Sequence, residues 1–460
     1  MTISDAQFDA WLNQDDKNPV VLLEANYYTS EFPTTVYWSN APWASMSGDS
    51  PANQPYLDVI NSIPVIETRV DNSATLSEIE LIKTEDMETY IGKNFAGGQF
   101  ALYLGDASWP KSDFRQVFGG VCNGLYNEPN ILRFTILDKR SLLNEQINVD
   151  YENNRLKPYL VGEVFNAEPV LVDSATYKYR CHINNLTLSD VRDNGVSVSY
   201  TDNNDGTFTL TSAPVGNVTF DGKTGDKNTG EIVDTLLSKA GFIPAERSSS
   251  YTNTSYSGIY VSNESSYLDN IKKIMAGVGG YLSFDKFGVA NMIQLAIAAT
   301  ADYTIDSEMI FQDSIKETSI EHPRWKMSMG YKKNFAPKDR ATYAASVSEV
   351  NRDLYSQEYS KVNYTTVPSG GYPLATRGHL IESYIVGQTD ANTELTRVSV
   401  LRLYSRSVYE MMVKNISLQL DIGDTVEFDV PGHYLNGKKA QVLSKQERIG
   451  FGTAIIEVWL

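Results

Sequence analysis

Thr229-Gly-Glu-Ile-Val-Asp-Thr-Leu-Leu-Ser-Lys-Ala-Gly-Phe242, a polar spacer, Ser265-Ser-Tyr-Leu-Asp-Asn-Ile-Lys-Lys-Ile-Met-Ala-Gly-Val-Gly-Gly280, then Tyr281-Leu-Ser-Phe-Asp-Lys-Phe-Gly288 and Ala290-Asn-Met-Ile-Gln-Leu295 form the stretch that decides the fold. Ile232, Val233, Leu236, Leu237 and Ala240 recur at helical spacing, with Thr229 as the expected cap and Gly241 as the stop. Leu268, Ile271, Ile274, Met275 and Val278 make a second apolar stripe, started by Ser265 and ended by Gly279-Gly280. A hairpin turning at Asp285-Lys286-Phe287-Gly288 follows. Helix, helix, hairpin predicts a small α+β unit set between two β-rich halves.

Outward from it, the chain reads as strand. Upstream, a short helix over residues 5–12 precedes strands at Val20–Tyr28, Thr34–Trp38 (across a Glu31–Thr34 turn), Val65–Val70, Leu76–Leu81, Phe100–Gly105, Phe114–Cys122 and Ile131–Asp138. Strands at this spacing, with turn signals between, suggest an antiparallel barrel or sandwich. Residues 151–220 stay β, with a hairpin turn at Asp202–Gly206. Downstream come a strand at Trp325–Tyr331, a long polar excursion, a helix over Ala391–Leu401 capped by Asp390, and three closing strands. The pair Arg115-Gln-Val-Phe and Ile131-Leu-Arg-Phe-Thr-Ile-Leu is echoed by Ala440-Gln-Val-Leu and Ala454-Ile-Ile-Glu-Val-Trp-Leu, after Gly105-Asp106 and Gly423-Asp424 respectively. Two copies of one small β-domain account for the echo, and so does chance likeness among short apolar strands.

With 460 residues the chain is too long for one core. Its 42% hydrophobic and 21% charged residues are ordinary globular composition, and 28 Tyr and 17 Phe lean it towards β structure and partner-facing surfaces. The net charge of -18 argues against binding of a phosphate backbone. It suits either a surface past which DNA slides without sticking or plain solubility. Two cysteines, Cys122 and Cys181, exclude a disulfide framework and a four-cysteine zinc site. The start shows no secretory signal, and no apolar run is long enough to span a membrane.

No motif with a catalytic mechanism stands out, and no cofactor or metal is expected. Gly222-Lys223-Thr224 matches only the tail of a phosphate loop, because Asn217 stands where the motif needs glycine. His182, His322, His379 and His433 lack ligand spacing. Asp202–Gly206 departs from a calcium loop, and Cys122 has no base beside it, which makes it a small buried hydrophobe. Tyr27, Tyr28, Trp38 and Trp43 form either a sugar platform or core plus an interface rim. With Trp109 they are the candidate interface residues.

In their order, the central motifs, Phe118-Gly-Gly-Val followed by Leu132-Arg-Phe-Thr-Ile-Leu-Asp, and Leu420-Asp-Ile-Gly-Asp-Thr-Val-Glu-Phe with Val442 and Val458-Trp-Leu resemble the baseplate and tail-tip hub proteins of tailed bacteriophages, the late-control tail protein family. The resemblance covers about two-thirds of the chain. It implies a mainly β fold with two tail-tube-like antiparallel β-barrels and a small helix-helix-hairpin domain. The division is then 1–150, first barrel; 151–225, β-rich insertion; 226–300, α+β domain; and 301–460, second barrel with an excursion at 335–388. It implies a non-enzymatic homotrimer whose pseudo-sixfold ring joins a sixfold tail tube to a threefold tip and lines the DNA channel. Its partners would be a distal tail or tube protein above, a tip or fibre protein below and a tape measure protein in the lumen, in a virion assembled in the host cytoplasm. The alternative is a distal-tail ring or a glycan-binding receptor protein. Residues 151–225 and 335–388 have no counterpart in the family pattern.

Overall fold

The computed structural model describes all residues except 1, 2, 13, 15, 30, 31, 64, 70–73, 77, 138, 249–252, 297, 298, 366–371, 415–418 and 449–451. The expected turn residue Glu31 and the strand-end residues Val70 and Asp138 lie outside the described residues, as does Ser77. The protein is mainly β, with several sheets. It divides into two compact units, one formed by Met1–Lys139, Ser283–Ile320 and Ser407–Leu460, the other by Arg140–Leu282 and Glu321–Arg406.

The first unit contains two sheets built on one plan. In the first, β1 (Pro19–Tyr28), β2 (Ile60–Ser62), β3 (Ile79–Ile82), β4 (Gln99–Asp106), β5 (Arg115–Asn127) and β6 (Ile131–Leu137) lie side by side in the order β1-β4-β5-β6-β3-β2. In the second, β7 (Tyr303–Asp306), β8 (Lys316–Glu321), β9 (Arg406–Lys414), β10 (Thr425–Asp429), β11 (Lys439–Arg448) and β12 (Thr453–Trp459) lie in the order β7-β10-β11-β12-β9-β8. Numbered within each set, both read 1-4-5-6-3-2. Residue alternation explains the strands: Phe100, Leu102 and Leu104 in β4 and Ala454, Ile456 and Val458 in β12 are buried, with less buried residues between them. Each large apolar side chain so buried contributes about 1.5–3 kcal/mol. The plans also differ: the first sheet continues past β1 through Pro33–Ser39, Pro55–Asp58 and Trp43–Ala44, for which the second has no counterpart among the described residues, and β1 is antiparallel to β4 whereas β7 is parallel to β10.

Backbone hydrogen bonds fix the correspondence residue by residue. Cys122 N–H donates to Gly98 O and accepts at its own carbonyl from Gly97 N–H, at 2.8 and 2.9 Å. Val442 does the same with Asp424 and Gly423, also at 2.8 and 2.9 Å. Just after each, the pairing with the last strand slips by one residue, between Cys122 and Gly124 and between Val442 and Ser444. Gly97 and Gly423 both hold positive φ, +81° and +97°, which explains a glycine at each. The repeat is thus present, but the sequence echo set it in the wrong register. Gly105-Asp106 ends the fourth strand, whereas Gly423-Asp424 precedes it, so the counterpart of Gly423-Asp424 is Gly97-Gly98.

The second unit holds helices α2 (Thr229–Lys239), α3 (Tyr267–Ala276), α4 (Glu349–Ser356) and α5 (Gln388–Leu401), while α1 (Asp5–Leu12) belongs to the first. The opening stretch is therefore divided, its helices in one unit and its hairpin tip in the other. Asn228, and not Thr229, caps α2 in a box with Glu231, and Ser266 caps α3. Gly387 stands at the start of α5 with Asp390 in the first turn. Residues 335–388 do not extend the second sheet of the first unit. Their Tyr343, Val347 and Tyr355 pack with Phe165, and Tyr355 lies under Arg192, which is buried between Asp190 and Asp221.

Candidate functional site

Within the first unit, the two β-modules meet in a polar seam. Val65–Arg69, from the chain between β2 and β3, crosses to the second module and pairs antiparallel with β11, Arg69 opposite Ser444 and Val65 opposite Arg448. The hairpin tip at Asp285–Gly288 enters the same place, where Lys286 O accepts from Gly119 N–H of β5 at 3.3 Å. Ser283, Asp285, Lys286, Asp421, Lys445 and Glu447 line a cavity of about 10 Å³, just room for one water.

The electrostatics of the seam follow from burial. Lys445 Nζ lies 3.0 Å from Glu447 Oε2, with side chains 5% and 1% exposed, and donates to Leu420 O at 2.6 Å. Alternation along β11 puts both on one face. Either charge without the other would be costly there. Burial pushes the Lys286 ammonium below its usual range and the Asp285 carboxyl above it. Burial, then neighbouring Asp421 and Asp302, pushes the Asp424 carboxyl up to about 6, although its side chain accepts from Asp421 N–H at 2.7 Å. A seam of this kind holds modules in register.

The aromatic candidates part company. Trp38 is fully buried among Tyr90, Phe95 and Phe134, and Trp43 is buried against Tyr56 and Phe114, so neither can touch a partner. Trp38 faces the core from the strand Pro33–Ser39, and Trp43 packs from the two-residue strand Trp43–Ala44 into a separate apolar cluster. Tyr27 is half-buried against Phe95, and Trp109 is half-buried 4.7 Å from Trp11. Tyr28 is the exposed member, at 42%, its hydroxyl donating to Gly97 O at 3.3 Å. The seam residues themselves escaped the sequence, because Ser-Lys-Gln-Glu at 444–447 reads as a solvated strand face.

Cys122 and Cys181 are buried thiols, Cys122 pushed up to about 12 by burial. His182 is a satisfied core residue whose Nδ1 accepts from Leu160 N–H at 3.0 Å, with burial lowering its pKa to about 4. Asp202–Gly206 links two antiparallel strands. Among the described residues no three ligating side chains converge as for a metal, and no helix is long and apolar enough to cross a membrane.

No protein-family model matches the chain, and no curated protein does. Similar solved structures include a tail protein from Neisseria meningitidis MC58, with TM-score 0.45, 7% identity and 96% of each chain covered. A prophage MuSo2 43 kDa tail protein from Shewanella oneidensis has TM-score 0.40 and 10% identity, over 95% of this chain and 98% of that one. The prophage tail protein gp18 from Listeria monocytogenes EGD-e has TM-score 0.45 and 8% identity, over 95% and 94%. Scores of this size carry no family assignment for the chain.

Proposed function

We propose that the chain is a structural protein of a bacteriophage tail, the hub of its tip or baseplate. Three copies form a pseudo-sixfold ring that joins a sixfold tube to a threefold tip and lines the DNA channel. The observation that carries this reading is the repeated 1-4-5-6-3-2 strand order, since two like modules per chain make six from three copies. The order of sequence motifs supports it independently. On this reading the tube-like domains are drawn from 1–150 and, within 301–460, from the stretches on either side of Glu321–Arg406; 151–225 is a β-rich insertion, 226–300 an α+β domain, and the protein is not an enzyme. A distal tail or tube protein sits above, a tip or fibre protein below and a tape measure protein in the lumen. The glycan-binding alternative loses its platform with the burial of Trp38 and Trp43.

Light scattering on the purified chain, alone and with its tail partners, should give a trimer, and cryo-EM class averages should show threefold or pseudo-sixfold symmetry. A chain that stays monomeric even with those partners overturns the reading.

A further inference from the structure

The seam between the modules is directional. The first module sends Val65–Arg69 onto the fifth strand of the second, β11, on the side where β10 stops. That segment occupies the row beyond β10 and covers Ser444–Arg448. By the hydrogen-bond correspondence of Cys122 with Val442, the matching seat on the first module is Gly124–Glu128, at the end of β5, on the side where β4 stops at Gln99. There β6 pairs with β5 on its other side, and among the described residues no strand pairs with 123–127 on the side β4 leaves open.

Burial tells the same story. In the covered copy Ser444, Lys445 and Glu447 are buried; in the open copy Gly124 and Leu125 are half-buried, and Tyr126 is 53% exposed. The chemistry of the open edge is also unguarded. An exposed edge strand carries free N–H and C=O groups and is normally protected by charge or proline. β8, an outer strand of the second module, has Lys316, Glu317 and Glu321. Asn123-Gly-Leu-Tyr-Asn127 has neither charge nor proline; these stand only at its far end, in Glu128 and Pro129 and in Lys83, whose ammonium donates to Asn127 Oδ1 at 2.9 Å.

We infer that Asn123–Asn127 is the subunit interface, an edge onto which a second copy of this chain adds a strand, as Val65–Arg69 does onto β11 within one chain. The inference rests on the ring reading and names the surface that would close it. The occupant is a second copy because the seat repeats, on the first module, an interface the chain already makes on its second. Heterologous contacts repeated head to tail close into a ring when their rotation allows. One of the two alternating contacts is internal to the chain, so the other must be made between chains. By chain position the counterpart of Val65–Arg69 lies between β8 and β9, a stretch that here folds as part of the second unit, so position in the chain does not name the strand that the neighbouring copy adds. Strand addition supplies main-chain hydrogen bonds, and Tyr126, with Tyr28 on Gly97 nearby, supplies apolar area at the rim.

Amide hydrogen exchange on the full chain, as monomer and as assembled oligomer, tests this. Within 123–127, the amides that face the open side should slow at least about tenfold on assembly, while those that face β6, and those of 444–448, covered on both sides within the chain, should be slow in both states. A photo-crosslinking residue at position 126 should join two copies of this chain. An oligomer in which the open-side amides of 123–127 exchange as fast as in the monomer, or in which position 126 links to a different tail protein, overturns the interface and leaves the ring standing. Failure to assemble at all, even with tail partners, overturns both.

Discussion

Asp424 occupies the position that Gly98 holds in the first module, and this exchange puts a carboxylate into a closed seam. At Gly98 no side chain fits, since a Cβ would lie 2.0 Å from Asn26 O. Asp424 is half-buried near Asp421 and Asp302, and its carboxyl is held up to about 6 from an ordinary 3.8. The raised value means the folded chain prefers the neutral acid. Its contribution to stability is therefore full below about pH 4 and is lost as pH rises through about 6. Asp424→Asn, which can keep the acceptor for Asp421 N–H, should flatten the stability profile between about pH 4 and pH 6. It should also add about 1 kcal/mol at neutral pH, a figure discounted for partial exposure. Urea melts across that range check it, and a variant as pH-dependent as the parent would refute it. Nothing in the sequence marks Asp424, because only the folded loop brings Asp421 and Asp302 to it.

Elements were legible where their own period defines them. The stripes of α2 and α3 and the alternation of β10 and β12 are local, and the structure has them where they were read. Caps were not, because Asn228 and Thr229 are both good caps in adjacent positions. Thr229 is buried, with its hydroxyl 2.9 Å from that of Ser257, which leaves Asn228 to accept from Glu231 N–H at 2.9 Å. Asn228→Ala should cost about 1 kcal/mol, read as a lower urea midpoint with an unchanged slope. Thr229→Ala instead removes a buried hydroxyl partner and leaves the cap intact. The register of the repeat was illegible for a related reason: Gly-Asp occurs at both ends of a fourth strand, and only hydrogen bonds tell the ends apart.

At the scale of the whole molecule, the β-rich character could be read from composition, while the sequence echo left duplication and chance likeness equally open and matched the wrong residues. The units could not be read. The chain leaves the first unit at 139/140 and again at 320/321, returning at 282/283 and 406/407, and no change of composition marks those crossings. Net charge is legible, and it carries a prediction. With -18 spread over the chain, duplex DNA should show no retardation by the purified protein even at about 50 mM salt, where phosphate contacts are strongest. A salt-dependent shift in a gel would exclude a channel wall past which DNA slides.

Tethering has one more consequence. Val65–Arg69 meets β11 from within the same chain, so it faces its seat at an effective concentration that dilution cannot change. The like seat on β5 would be filled only by mass action. For the ring proposed above, dilution should therefore open every second contact and leave the alternate ones shut, so that it would come apart into whole chains, each still holding its pair of modules together.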